Sequence, residues 1–196
     1  MGVGVALALA ILRPATPLDC AATVMGASLG SVLCDVDVRS GERAREAFRW
    51  RMIALVLACA LLAHDYLLGG PVCAYIMQHV GMEVVSGLAG MVATTVFGAF
   101  TAHRTFTHSL VALALWGGCA RLACEPLAAP LCVGIASHIA LDLTNHKKIR
   151  LFWPLKADYS LGIWKADGLM NDLLALLGAG ASIALLALTA AGRGGM

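Results

Sequence analysis

Seven apolar runs, joined by short polar segments, account for most of this chain. They lie at 2–12, 18–34, 50–69, 83–102, 107–124, 127–143 and 169–191. Several approach the roughly 20 residues that a helix needs to cross a hydrocarbon core about 30 Å thick. A backbone in lipid has to satisfy its own hydrogen bonds, and the sequence has no alternating pattern of the barrel type. The runs therefore predict an all-α, polytopic transmembrane bundle of about six to seven helices.

The composition excludes a soluble globular protein. The 196 residues are 60% hydrophobic and 13% charged, whereas a soluble domain is about 45–50% apolar and about 25% charged. The length suits a single membrane-embedded helical domain over residues 1–196. A net charge of +2 is too small to indicate nucleic-acid binding.

The seven cysteines are odd in number and mostly lie in apolar runs. This favours cysteines that act as small buried hydrophobic residues over a disulfide framework.

The basic residues predict the orientation in the membrane. One cluster comprises Arg39, Arg43, Arg45, Arg49 and Arg51, and another comprises Lys147, Lys148, Arg150, Lys156 and Lys165. If both loops face the cytoplasm and the helices alternate, Arg104 also falls inside. Only Arg13, Arg121 and Arg193 of the 14 lysines and arginines then fall outside, as the positive-inside rule requires. We therefore expect a multi-pass protein of the cytoplasmic (inner) membrane.

Three polar clusters stand at the ends of apolar runs. They are Asp35-Val36-Asp37, the segment from His103 to Ser109, and the segment from Ser137 to Asp142. Carboxylates and imidazoles are common ligands of divalent metals. Such side chains are costly within a membrane, so they usually mark a function there. The predicted topology places all three clusters at cytoplasmic helix ends, which indicates one shared metal site.

The acidic clusters each allow a structural alternative. His138 and Asp142 are spaced i, i+4 and share one helix face, which suits either a metal or a hydrogen-bonded pair that tethers helices. Asp35 and Asp37 fit a turn that wraps a cation, but they also fit helix termination and charge balance with nearby arginines.

The segment from His103 to Ser109 adds two histidines and a guanidinium. An arginine side chain binds phosphate or carboxylate oxygens through two parallel hydrogen bonds, so Arg104 is a candidate for an anionic substrate; its alternative is ordinary positive-inside charge. Thr107 and Ser109 are candidates for substrate contact or for capping the following helix. The other histidines, His64, His79 and His146, are expected at the surface.

Taken together, these motifs resemble the YdjM-like family, described as metal-dependent hydrolases of the bacterial inner membrane. The family pattern is Asp-x-Asp, then His-Arg-x-x-Thr-His-Ser, then Ser-His-x-x-x-Asp, then a Trp-Pro loop. In this chain the pattern is matched in order by Asp35–Asp37, His103–Ser109, Ser137–Asp142 and Trp153-Pro154.

The chain also departs from the family pattern. Family members usually carry Pro before the first Asp and His after the second, where this chain has Cys34 and Val38. They commonly open with a Thr-His pair just before the first helix, whereas this chain begins Met1-Gly2-Val3-Gly4. Residues 2–12 would span about 16 Å as a helix, roughly half the hydrocarbon core. We therefore expect the natural start to lie upstream and to supply a further histidine; the alternative is a genuine half-helix.

The leading functional hypothesis is a membrane-bound, metal-dependent hydrolase. One or two divalent cations, with Zn, Mn, Fe and Mg not distinguished, would be bound by Asp35, Asp37, His108, His138 and Asp142. His103 would act as base or as a further ligand, and Arg104, Thr107 and Ser109 would contact an anionic substrate. Membrane lipids are the expected surroundings, and a phosphoester, small or lipid-linked, is the expected substrate.

Two other classes of function compete with the hydrolase. A transporter or ion-pathway protein would carry polar groups near the bilayer midplane, and a regulatory or scaffold protein would keep the motifs for stability. The hydrolase hypothesis requires that Asp35, His108 and His138 converge, with metal-binding atoms within about 5 Å of one another.

Overall fold

The computed structural model describes residues 2–38, 67, 80–164 and 169–191. Within these ranges the chain forms six α-helices, two short 3-10 turns and no strand. The helices are α1 (Gly2–Leu12), α2 (Pro17–Leu33), α3 (Met82–Phe100), α4 (Leu110–Ala123), α5 (Glu125–Thr144) and α6 (Leu169–Ala191). The expected all-α bundle is confirmed. The apolar run over 50–69 lies outside the described residues except for Leu67.

Three of the described helical stretches are long and apolar enough to cross a membrane. They are Pro17–Asp37, Met82–Phe100 and Glu125–Thr144, whereas α1, α4 and the apolar part of α6 are shorter. Large apolar side chains on these stretches face outward; Leu88 and Phe97, for example, are about half exposed. Outward apolar side chains are typical of helices that meet lipid. The number of such stretches among the described residues is smaller than the seven apolar runs of the sequence.

Helices α2 and α5 pack with their backbones in direct contact. An added Cβ would lie 2.2 Å from the Leu131 carbonyl oxygen at Gly30, and 2.2 Å from the Ala27 carbonyl oxygen at Gly134. Gly26 and Gly30 form the Gly-x-x-x-Gly pattern that allows membrane helices this close an approach. The contact brings the turn after α2 beside the last turns of α5.

The main core lies between α4 and α5 and extends to the segments that precede α4 and follow α5. Trp116, Phe106 and Ile135 are fully buried in it, and the Trp116 indole donates to Thr95 Oγ1 at 3.2 Å. Trp153 packs its ring edge-on against Phe106, with ring centroids 5.2 Å apart. The loop that follows α5 is therefore part of the packed structure.

Side-chain caps determine where two helices begin. At α2, Thr16 and Asp19 form a capping box, each side chain accepting from the other's backbone N–H at 3.0 Å. At α4, the Ser109 hydroxyl accepts from the Ala112 N–H at 3.1 Å. Because the cap is Ser109, α4 begins at Leu110 and Phe106–His108 forms a separate 3-10 turn. Thr107 and His108 are thereby held outside the helix, in the turn that faces Asp37.

The contact between α2 and α5 can be tested with single methyl groups. We expect Gly134→Ala to destabilise the protein by about 1–3 kcal/mol, because the added carbon overpacks the interface. Gly118→Ala is the matched control: its Cβ meets nothing within 4 Å, so the higher helix propensity of alanine should leave stability equal or slightly higher. Thermal midpoints of the purified protein in detergent measure both. Equal midpoints for the two variants would contradict the packing.

Candidate metal site

Three segments from distant parts of the sequence meet at one end of the bundle. The 3-10 turn Cys34–Asp37 ends α2, the segment 101–109 links α3 to α4, and Ser137–Asp142 lies in the last turns of α5. One atom each of Asp35, His108 and His138 lies within 4.8 Å of the others, and so does one atom each of Asp37, His103 and His108. The expected convergence of Asp35, His108 and His138 is confirmed, and His108 is common to both groups.

The Asp37 carboxylate organises two of the histidines. Its side chain is fully buried; Oδ1 lies 2.8 Å from His103 Nδ1, and Oδ2 accepts from the Thr107 hydroxyl at 2.7 Å. The Thr107 oxygen in turn lies 2.9 Å from His108 Nδ1. A buried charge of this kind is stable only when its oxygens are hydrogen-bonded.

This chain of contacts determines which imidazole nitrogens carry hydrogen. An ionised carboxylate only accepts, so His103 donates from Nδ1. Thr107 has one hydroxyl hydrogen and gives it to Asp37, so its oxygen can only accept from His108 Nδ1. In the neutral form, both rings then present a lone pair at Nε2. This is the tautomer that binds a metal through Nε2.

Two acceptor atoms face each other beside that chain. His108 Nε2 lies 3.0 Å from Asp142 Oδ2, yet both atoms are buried without a hydrogen-bond partner among the described residues. The separation is short enough for a hydrogen bond, but the Nε2 of a neutral ring and a carboxylate oxygen are both acceptors. Two ligands about 2.0–2.2 Å from a common ion lie about 3 Å apart when they subtend a right angle at it. The orphaned pair therefore fits a cation.

His138 completes this side of the site. Its Nε2 lies 3.6 Å from Asp35 Oδ1 and 4.0 Å from Asp142 Oδ2. Both distances are too long for a hydrogen bond, so His138 and Asp142 do not form the tethering pair that their spacing also allows. Asp35 is half exposed, so the group opens toward the end of the bundle.

The charges of the site leave an excess of negative charge. Asp35, Asp37 and Asp142 contribute three negative charges and Arg104 one positive charge, so with neutral imidazoles the sum is −2. A divalent cation would cancel it. The rival arrangement, a protonated His108 paired with Asp142 Oδ2 at 3.0 Å, would reduce the sum only to −1.

Arg104 is held against Asp142 rather than in open solvent. Its guanidinium donates to the Lys147 carbonyl at 2.9 Å and to Asp142 Oδ1 at 3.3 Å, while Nε is buried without a hydrogen-bond partner in the part of the chain that the structure describes. Its φ of +66° is rare for a residue with a Cβ and typically costs about 1–3 kcal/mol. The Arg104 carbonyl accepts from the Arg150 N–H at 2.9 Å, which stabilises this strained backbone.

The two hydroxyls proposed for substrate contact lie inside the protein. Thr107 and Ser109 are fully buried, and Ser109 donates to the Phe106 carbonyl at 2.6 Å while it caps α4.

Asn145 is a site residue that the motifs did not single out; it donates to Asp142 Oδ1 at 3.0 Å. The sequence signal that could have identified Asn145 is its position three residues after Asp142. His146 is exposed, as expected, while His64 and His79 lie outside the described residues.

The chain is similar to a known protein family. A family model described as YdjM inner membrane protein matches residues 1–194. The chain belongs to the YdjM family. The match spans nearly the whole chain, so every residue of the candidate site lies within it. No curated protein and no solved structure matches the chain.

The Thr107 hydroxyl gives a test of the site in this YdjM family member. Thr107→Val keeps the shape of the side chain but leaves His108 Nδ1 and Asp37 Oδ2 without their shared partner. We expect the affinity for a divalent metal to fall about 10- to 100-fold, the usual effect of losing a group that orients a ligand. Thr107→Ser keeps the hydroxyl and should restore affinity. Metal titration of both variants checks this; unchanged affinity in Thr107→Val would refute the role of the hydroxyl.

Proposed function

We propose that this protein is a metal-dependent hydrolase of the inner membrane that acts on a phosphoester. The observation that carries the proposal is the orphaned pair, His108 Nε2 and Asp142 Oδ2, next to a histidine that is oriented by a buried carboxylate. The ligands proposed are Asp35, His108, His138 and Asp142, with Asp37 holding His103 and, through Thr107, His108. When bound, a divalent ion makes a water molecule acidic enough to act as a nucleophile near neutral pH.

His103 is the proposed general base. Its Nδ1 donates to Asp37, so the Nε2 lone pair is available to take a proton from the attacking water. Its side chain is 39% exposed, in contrast with the fully buried His108, so solvent and substrate can reach it. Its ring centroid lies 5.3 Å from that of His108. The base would thus act beside the bound ion without having to bind it.

Arg104 is proposed to act in two ways. Its hydrogen bond to Asp142 Oδ1 holds that carboxylate with Oδ2 toward His108. Its positive charge also favours an anionic group at the site and offsets the negative charge that develops on phosphoryl oxygens during hydrolysis. Because Thr107 and Ser109 are fully buried, we do not assign them substrate contacts. Thr107 orients His108, and Ser109 caps α4.

The position of the site favours an enzyme over a transporter. Transport sites lie near the bilayer midplane, where helices are interrupted. Here α2, α3 and α5 end at the site and α4 begins there, so the polar groups gather at one end of the bundle. Lys147, Lys148, Arg150 and Lys156 follow α5 at this end, which supports a cytoplasmic orientation.

Separate substitutions of three histidines test the proposal. His108→Ala should remove most of the bound metal and abolish hydrolysis, because His108 belongs to both ligand groups. His103→Ala should retain the metal and lower the rate about 100- to 10,000-fold, the usual contribution of a positioned base. His146→Ala, an exposed histidine of the neighbouring loop, is the control and should change neither quantity.

The measurements are metal content by mass spectrometry and phosphate release from an aryl phosphoester. Full metal occupancy in His108→Ala would exclude the proposed ligand set. A wild-type rate in His103→Ala would exclude its role as base. Stoichiometric metal without hydrolysis in the wild type would leave a metal-binding membrane protein and rule out the proposed reaction on this substrate.

A further inference from the structure

A cavity of about 130 Å³ lies beside the candidate site, and His138 and Asp142 are part of its lining. It is bounded by α1, α2, α5, α6 and the loop after α5, and it is lined by Ser31, Ser137, Asp142, Asn145, Trp164 and Leu174 among others. The cavity has room for a small polar molecule.

The cavity presents acceptors and few donors. The Ser137 hydroxyl donates to the Gly134 carbonyl at 2.8 Å, and the Ser31 hydroxyl donates to the Ala27 carbonyl at 2.9 Å. Each hydrogen is thereby used within its own helix, and the oxygen lone pairs remain. Asp142 adds a carboxylate, and among the described residues no lysine or arginine belongs to the lining. Such a wall repels an anion and suits a group that donates hydrogen bonds.

The space between the two serines is maintained by a glycine. A Cβ at Gly4 would lie 2.6 Å from Ser31 Oγ and 2.7 Å from Ser137 Oγ. Any side chain on α1 at this position would meet both hydroxyl oxygens. Trp164 also belongs to the lining and its side chain carries an indole N–H, so a hydroxyl, which donates and accepts, matches these residues better than an ammonium group, which only donates.

We propose that this cavity binds the hydroxyl-bearing leaving group of the substrate. This inference rests on the proposed function: the anionic phosphoryl group would lie between the bound ion, Arg104 and His103, and a small alcohol of about glycerol size would occupy the cavity. In hydrolysis the bond between phosphorus and the alcohol oxygen breaks, water supplies the new oxygen on phosphorus, and the leaving alcohol takes a proton. The substrate class is thus a phosphate ester of a small polyol.

The cavity is tested first without any reaction. Saturation-transfer NMR on the full-length protein in glycerol-free detergent would use glycerol, ethylammonium and acetate as probes. We expect transfer to glycerol and little to acetate. Leu174→Trp, which fills the cavity from α6, should reduce the glycerol signal at least about fivefold. Leu173→Trp is the matched control, because Leu173 is exposed on the neighbouring position of the helix.

A smaller substitution tests the same cavity with less risk that the variant misfolds. Ser137→Ala removes one acceptor oxygen, which among the described residues is hydrogen-bonded only to its own helix, and it should weaken glycerol binding. Ser182→Ala removes a buried serine outside the cavity lining, which contacts the Gly178 carbonyl at 2.7 Å and the Gly2 carbonyl at 3.2 Å, and should not. Equal glycerol signals in wild type, Leu174→Trp and Ser137→Ala would overturn the cavity proposal. Stronger transfer to ethylammonium than to glycerol would overturn the assignment to a hydroxyl.

Hydrolysis then tests the link between cavity and site. The metal-loaded wild type should hydrolyse glycerol 3-phosphate with a higher kcat/KM than an aryl phosphate, and Leu174→Trp should lose that preference while keeping its metal. Glycerol binding without this preference would overturn the leaving-group assignment. Absence of hydrolysis with both esters, alongside intact glycerol binding, would instead refute the proposed function and leave the cavity as a polyol site.

Discussion

The candidate site depends on a carboxylate that is buried at the end of a membrane helix. Asp37 has no exposed side-chain surface, and an unpaired charge in that position would cost several kcal/mol. His103 and Thr107 both contact it, from a segment 66 and 70 residues away. Because the charge requires these partners, the turn after α2 and the segment before α4 are held together. The orientation of His108 follows from the same contact.

Close helix packing supplies the other half of the arrangement. The glycines of α2 and α5 let the two backbones touch, so Asp35 and His138 approach from neighbouring helix ends. A larger residue at Gly30 or Gly134 would separate those ends and widen the site. The bundle thus brings carboxylates and imidazoles together from both sides, and the excess negative charge between them is what a divalent cation would neutralise.

The sequence predicted the helices well because their signals are local. Apolar runs and lipid-compatible composition are enough to predict the helices from α1 to α6, and the spacing of His138 and Asp142 is enough to place them on one face. The motifs also identified the segments that converge. The ends of the helices were less predictable. Helix α4 begins after Ser109 because the Ser109 hydroxyl caps the helix, whereas the apolar run suggested a start at Thr107.

Contacts between distant segments could not be predicted from the sequence. Nothing in the residues near Thr107 shows that its single hydrogen goes to Asp37, so a substrate contact was an equally reasonable prediction from the motif. Arg104 was predicted to bind an anion from its residue type, and only the structure adds its contact with Asp142. The polyol-sized cavity depends on Gly4, Ser31 and Ser137, which come from three helices and form no motif.

The central claim is that imidazole and carboxylate groups of this site bind a divalent metal ion. X-ray absorption spectroscopy of the purified protein, loaded with Zn²⁺ or Mn²⁺, tests it most directly. The account predicts a stoichiometric ion whose ligands are only nitrogen and oxygen, at about 2.0–2.2 Å, with the outer-shell scattering of at least two imidazole rings. A sulfur ligand at about 2.3 Å, an ion without imidazole scattering, or no stoichiometric binding would contradict it.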